Sequence, residues 1–419
     1  MRLDASPLAR ACLLVVLGGA LGCAAQVGGP GGSAAATTNP DARSQGEPGS
    51  RAQPGSHADA PEGSPSDWVA RGEAALEDGQ PARAAALFAR TLGASGAGSD
   101  ASGELGRAYL GLARAQEQLG DFEAAIRAYD GFIARFPDDA QLATVLARRG
   151  ACEAELYQWE RSAASFAQIL TLGEQLLPSE RVEALAREGL ALFQLDRLDE
   201  ADARFAEADA IYTEASESGT ERFSDTYFVA MARFYRAAVV HVRFRRAPIR
   251  LPEAQMAKDF DAKLELLQEA QEAYNEVIRT RHVFWVSAAG YQLGTLFEEF
   301  YDAVMHAPVP DWLDESQRAV YYAELEEQLR PVVEKAVWVF EKNLETARKL
   351  GYESDFIAQT RDRLASLQAV MLGRDGGGAP VPRLAPTLAP ETGAAEPTSA
   401  LESLPGVERK LFVPMPTTL

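Results

Sequence analysis

The sequence predicts an all-α fold, a helical-repeat solenoid of about six helix pairs, on three observations. A small residue is followed four positions later by an aromatic at Ala84/Phe88, Ala125/Tyr129, Ser162/Phe166, Ala201/Phe205, Ala270/Tyr274 and Ala336/Phe340. Four residues make about one helical turn, so each pair stands on one face. There the small residue admits a neighbouring helix and the ring fills the space beside it. From Asp67 to Leu372 the apolar residues keep a helical period. Lastly, the glycine-type positions Gly72, Ala113, Gly150 and Gly189 recur about 40 residues apart, a period that marks stacked supersecondary units.

Each element follows from local signals. Trp68 to Leu92 reads as two helices about an Asp78-Gly79 turn. The second pair carries Tyr109, Leu112, Ala113, Gly120-Asp121-Phe122, Ala125, Tyr129, Phe132 and Pro137 in register. Gly150, Trp159, Ser162, Phe166 and Ile169 mark the third pair, and Gly189, Leu192, Ala201, Phe205 and Ala208 the fourth. Beyond Phe205 the spacing widens, which longer helices explain. Tyr227 to Phe244 has no Gly or Pro, and Pro248 and Pro252 separate it from a helix at 253–280. Phe284 to Ala303 makes another, broken by Pro308-Val309-Pro310. Pro331 is read as opening the next helix at a first-turn position, where its missing N–H costs nothing. Val333, Val337, Phe340, Leu344 and Ala347 form that helix's stripe, and Gly351 is its expected C-cap. Ser354 is the expected N-cap of a closing helix that ends near Leu372.

The second pair matches the tetratricopeptide repeat at nearly every signature position, and the chain resembles that family. The resemblance implies a right-handed superhelix whose inner face binds other proteins. Residues 67–215 are then regular repeats and 216–372 elongated, divergent ones.

The flanks read differently. Residues 1–22 form a signal peptide: Arg2 and Arg10 accompany the short apolar run Leu13-Leu14-Val15-Val16-Leu17, and small residues follow to Gly22. Ala20-Leu21-Gly22-Cys23 resembles the lipobox of bacterial lipoproteins, although Ala20 replaces the usual Leu. The resemblance implies lipidation at Cys23, and Ala24 after it favours the outer membrane. Cleavage near Ala24 or Ala25 by ordinary signal peptidase is the alternative, giving a soluble periplasmic protein. Residues 23–66 are a Gly/Ser/Ala/Pro-rich tether with a root-mean-square reach of roughly 35 Å. Residues 373–419 are expected to be a disordered tail. Its Leu411-Phe412-Val413-Pro414-Met415-Pro416 is unexpectedly apolar; it reads as a passive end or as a linear motif.

Lys+Arg total 41 against 61 Asp+Glu, a net charge of −20, which disfavours a nucleic-acid partner. No P-loop, GxGxxG, HExxH, GxSxG or paired CxxC motif occurs, so no cofactor, metal or catalytic residue is expected and the protein is read as not an enzyme. Glu298, Glu299, Asp302 and His306 are the best local ligand cluster, read as a solvated helix end. Cys152 reads as a small buried hydrophobe. Arg243, Arg245, Arg246 and Arg250 form the one basic cluster, either a helix C-terminal cap or an anion site. The aromatic second half is read as core or as a groove. Tyr227, Tyr235, Trp285 and Tyr291 join the four arginines as candidate partner contacts.

The expected function is a lipid-anchored scaffold recruiting envelope proteins, with the irregular half choosing the partner. The string YDGFIARFPD at Tyr129–Asp138 resembles periplasmic tetratricopeptide proteins of outer-membrane assembly and of the Tol–Pal system. Gly290-Tyr291 and Phe297-Glu298-Glu299-Phe300-Tyr301 resemble tetratricopeptide lipoproteins of myxobacterial envelopes, which implies a gliding-motility or secretion machine as the alternative role. A cell-wall enzyme or its activator, needing a carboxylate pair in a pocket, and a small-ligand carrier using the aromatic half are the alternatives of other classes.

Overall fold

The computed structural model describes residues 63–94 and 102–371; the signal peptide, Cys23, most of the tether and the tail lie outside the described residues. Among the described residues there are thirteen α-helices and no strand. Twelve form six consecutive pairs. These are α1 (Pro65–Glu77) with α2 (Pro81–Ala94), α3 (Ser102–Leu119) with α4 (Phe122–Arg135), and α5 (Leu142–Glu155) with α6 (Trp159–Leu170). After a 3-10 turn at Gly173–Gln175 come α7 (Pro178–Gln194) with α8 (Leu198–Ser218), then α9 (Tyr227–Arg246) with α10 (Glu253–Arg279). The pair α11 (Val283–Met305) and α12 (Glu315–Leu350) follows, and α13 (Asp355–Met371) closes the array.

Every helix packs on the next, and α1–α3, α7–α9, α9–α11 and α11–α13 also touch. Even-numbered helices make no comparable contact with one another, so the stack curves with the odd helices inside where those touch; α3–α5 and α5–α7 make no comparable contact either. Helix starts are fixed by local bonds. The Ser64 N–H donates to Asp67 Oδ2 at 2.9 Å beside Pro65, and Asp121 Oδ1 accepts the Ala124 N–H at 2.9 Å. Seven positions after each glycine-type residue the turn within the pair needs positive φ. Gly79 (67°) and Gly120 (75°) supply it, and then Tyr157 (57°) and Asp196 (59°).

All twelve residues of the small-then-aromatic pairs are at most 1% exposed. The rings reach across to small residues on odd helices. A Cβ built on Gly72 would stand 2.8 Å from Phe88, one on Gly150 2.9 Å from Phe166 and one on Gly189 2.5 Å from Phe205. Phe88 is also pressed by Gly111 of the next pair, and Phe340 by Gly294. These contacts are closer than any side chain permits, so ring and glycine together set the helix separation.

The helix α12 differs from its sequence expectation in two ways. Pro331 does not open a helix; it lies inside α12, which starts at Glu315 behind an Asp314–Gln317 capping box. An interior proline costs about 3 kcal/mol, but Leu325 and Leu329, buried ahead of it, offset this at about 1.5–3 kcal/mol each. The buried stripe of α12 is also shifted, to Val332, Ala336, Val339, Phe340, Asn343 and Ala347. Val333, Val337 and Leu344 flank it half-buried.

The two halves differ in their core. Around α1–α6 three small clusters suffice, whereas one continuous cluster runs from Val182 to Leu367. In that second half α7 is buried from Ala184 to Gln194 and α11 from Ser287 to Tyr301. Helices covered on every side leave no open inner groove there.

Candidate interaction surface

The four arginines of the basic cluster each meet a carboxylate. Arg243 pairs with Asp199 at 2.6 Å, Arg246 with Asp196 at 2.7 Å and Arg250 with Asp259 at 2.9 Å, while Arg245 grips Glu299 through Nε at 2.6 Å and a second nitrogen. The first two belong to a ladder between α9 and α8 that continues as Arg236–Asp202 at 3.2 Å and Arg233–Asp209 at 2.7 Å. Arg243, Arg245 and Arg246 stand in the last turn of α9, where the helix dipole favours cations, and Lys263 joins them, its Nζ donating to the Phe244 and Ala247 carbonyls at 2.7 and 2.8 Å. Burial lowers its pKa to about 8. The cluster is thus spent on holding α8, α9, α10 and α11 together.

Of the aromatic candidates, Tyr235, Trp285 and Tyr291 are withdrawn from any surface, being at most 2% exposed. Tyr235 is ringed by Phe193 (5.4 Å), Phe205 (5.9 Å), Phe234 (5.3 Å) and Trp285 (5.9 Å), an edge-and-stack packing that favours core over groove. Tyr227 is half-buried and lies 5.4 Å from Trp285. The exposed rings of this half are Trp312, Tyr322 and Trp338.

The acidic cluster is a solvated helix end only at exposed His306, the C-cap of α11; Asp302 is half-buried and the two glutamates are buried. Glu298 and Glu299 are 4% and 8% exposed. Burial opposes charge on Glu299, yet His241 and Arg245 hold its carboxyl down to about 2. His241 is fully buried, which lowers its pKa against the pull of Glu299. Its Nε2 lies 3.1 Å from Glu299 Oε2, which can only accept, and its Nδ1 lies 3.1 Å from the Tyr274 hydroxyl. Glu298 has an Oε1 with no hydrogen-bond partner, and burial pushes its carboxyl up to about 8. The described residues contain no group of three or more ligands placed to hold a metal.

A second buried network joins the regular pairs. Tyr129 donates to Glu117 at 2.8 Å, and Arg148 Nε donates to the Tyr129 hydroxyl at 2.9 Å and pairs with Glu117. Cys152 Sγ lies 3.3 Å from Glu117; burial, then that carboxylate, pushes the thiol pKa up, so it is a poor nucleophile. Its place is structural, across α3, α4 and α5.

Open surface remains on both sides of the regular half. On the inner side α3 carries Arg107, Leu110 and Arg114 at helical spacing, with Arg107 bonded to Glu73 of α1 through Nε at 2.9 Å. Arg107 and Glu73 are 55% and 42% exposed, so this odd-helix face is wet where that of α7, α9 and α11 is closed. Two residues on, about 200° around the helix, Tyr109, Leu112 and Gln116 floor a shallow slot of about 460 Å³ walled by α2 and α4. The inner face was expected from the repeat resemblance; the residues it exposes and the slot were not legible, because which face an amphipathic helix leaves uncovered depends on the neighbours' side-chain size.

Residues 105–149 match the family model described as tetratricopeptide repeat. No curated protein matches the chain. Among solved structures, the chain is similar to a tetratricopeptide repeat protein from Parabacteroides merdae ATCC 43184, with 14% identity, TM-score 0.35, and coverage of 71% of this chain and 98% of that one. The P58(IPK) TPR domain is 13% identical, TM-score 0.23, with 75% and 80% covered. The Rap conjugation gene regulator of plasmid pLS20, solved with the Phr* peptide, is 12% identical, TM-score 0.29, with 73% and 94% covered.

Proposed function

We propose that the protein is a non-catalytic scaffold that binds partner proteins on the inner face of α1, α3 and α5, held by a lipid on Cys23 at the periplasmic side of the outer membrane. The contrast between the halves carries this reading. The odd helices of the second half are closed, whereas Glu73, Arg107, Leu110 and Arg114 stand at the inner surface of the first. The tetratricopeptide match lies on this half, and stacked repeats bind extended segments along such a concavity. The alternation of charge with Leu110 suits a polar extended segment bearing carboxylates. The lipid anchor rests on the Ala20–Cys23 segment, and no described helix is long and apolar enough to cross a membrane.

The two parts of the reading are tested separately. The pair Arg107→Glu and Arg114→Glu is expected to cut co-purification of partners from cells at least tenfold with an unchanged circular dichroism spectrum. Unaltered co-purification would remove the inner face. Cys23→Ser is expected to move the protein out of the membrane fraction, and its retention there would refute the anchor.

A further inference from the structure

The slot between α2 and α4 is walled by Ala85, Ala86, Ala89, Ala124 and Ala128, with Tyr109, Leu112 and Gln116 on its floor. Arg127 is the one charged residue in its lining and makes no ion pair among the described residues. Alanine walls leave α2 and α4 apart over α3, where larger side chains would have closed the seam. Such a surface takes an apolar occupant, since a polar one would lose water without recovering its hydrogen bonds.

Beyond residues 1–22, read as a signal peptide and carrying Leu13-Leu14-Val15-Val16-Leu17, one segment outside the described residues has that chemistry. Between 24 and 62 and between 95 and 101 there is no run of large apolar residues; between 372 and 419 the run is Leu411-Phe412-Val413, continued by Pro414-Met415-Pro416. The prolines favour an extended conformation, which lowers the entropy lost on docking. Some forty residues separate Met371 from Leu411 and span at most about 130 Å extended. The way from α13 back to α3 steps past ten helices, about 100 Å at about 10 Å each. The segment reaches.

We propose that Leu411–Pro416 docks in the slot between α2 and α4 of the same chain. The tail then straps across the outer side of the regular half, seating Leu411, Phe412 and Val413 over Tyr109 and Leu112. This goes beyond the scaffold reading and uses the opposite side of α3.

The test is disulfide trapping in the full chain with Cys12, Cys23 and Cys152 replaced by Ser or Ala. Ala89→Cys combined with Phe412→Cys is expected to crosslink within one chain at least tenfold faster than Ala89→Cys with Thr398→Cys. Mixing isotope-labelled and unlabelled chains distinguishes a link within a chain from one between chains. Equal rates for the two pairs, or a link only between chains, would overturn the proposal. Because Cys152 is buried and its loss can perturb the fold, hydrogen exchange on the otherwise unchanged chain gives a second measure. Phe412→Asp is expected to speed exchange at least threefold in α2 and α4, and no change there would contradict docking. The variant Arg107→Glu should leave both readouts unaltered, so failure of the inner-face reading and failure of this one are told apart.

Discussion

Tyr157 and Asp196 occupy the turn position that glycine fills in the first two pairs, at φ 57° and 59°. A left-handed residue with a Cβ costs about 1–2 kcal/mol, and glycine returns part of this as about 0.5–1 kcal/mol of lost chain entropy. Tyr157 is half exposed and its ring meets Trp159 edge-on at 6.0 Å. Tyr157→Gly is therefore expected to raise stability by about 0.5–1 kcal/mol in urea denaturation. A loss would show that the ring contact outweighs the backbone. At this scale the sequence was partly legible: Gly79 and Gly120 announce the turn, but nothing in the letters Tyr or Asp signals a positive φ. The burial of Cys152 was legible too, from its helical register; its bond to Glu117 was not, because that carboxylate stands 35 residues away.

At the scale of the element, the glycine–ring contacts decide the spacing of helices. Gly189→Val would drive side-chain carbons into Phe205, which is fully buried and cannot turn away. Overpacking of this kind costs about 1–3 kcal/mol, and Gly189→Val should lower the urea midpoint accordingly while a surface change such as Glu207→Gln does not. Glu298 on α11 makes a second prediction. Its carboxyl is raised by burial, is relieved by Arg363 of α13, and is further raised by Glu299 and Asp302. The folded state thus keeps a proton that the unfolded chain releases, so this group's contribution falls as pH rises from about 4.5 to about 8. Thermal melts between pH 5 and pH 9 should lose much of that decline in Glu298→Gln; an unchanged slope would assign it elsewhere, with Asp302, raised to about 6, the first suspect. Helix existence was readable from the 3.6-residue period. The span of α12 was not, since Pro331 can only be weighed against Leu325 and Leu329 once their burial is known.

At the scale of the whole molecule, the sequence pointed to repeats between unlike ends, and the described body has six helix pairs and a closing helix. It misdirected attention to the aromatic half. One signal was available: α11 reads Trp285-Val286-Ser287-Ala288-Ala289-Gly290-Tyr291 and then Leu293 to Tyr301 with apolar residues on every face, and a helix apolar all round is buried rather than lining a groove. The α8–α9 ladder left a fainter trace, aspartates at 196, 199, 202 and 209 opposed to arginines at 246, 243, 236 and 233. Such exposed pairs contribute about 0.2–1 kcal/mol each, so they align the two helices more than they stabilise them.

The central claim, that partners meet the inner face of α1, α3 and α5 and not the closed half, is tested most directly by photo-crosslinking in cells. A photoreactive residue at Leu110 on the inner face is compared with one at the exposed Trp338 of α12. The account predicts a discrete protein adduct from Leu110 and none from Trp338. Adducts from Trp338 with none from Leu110 would contradict it.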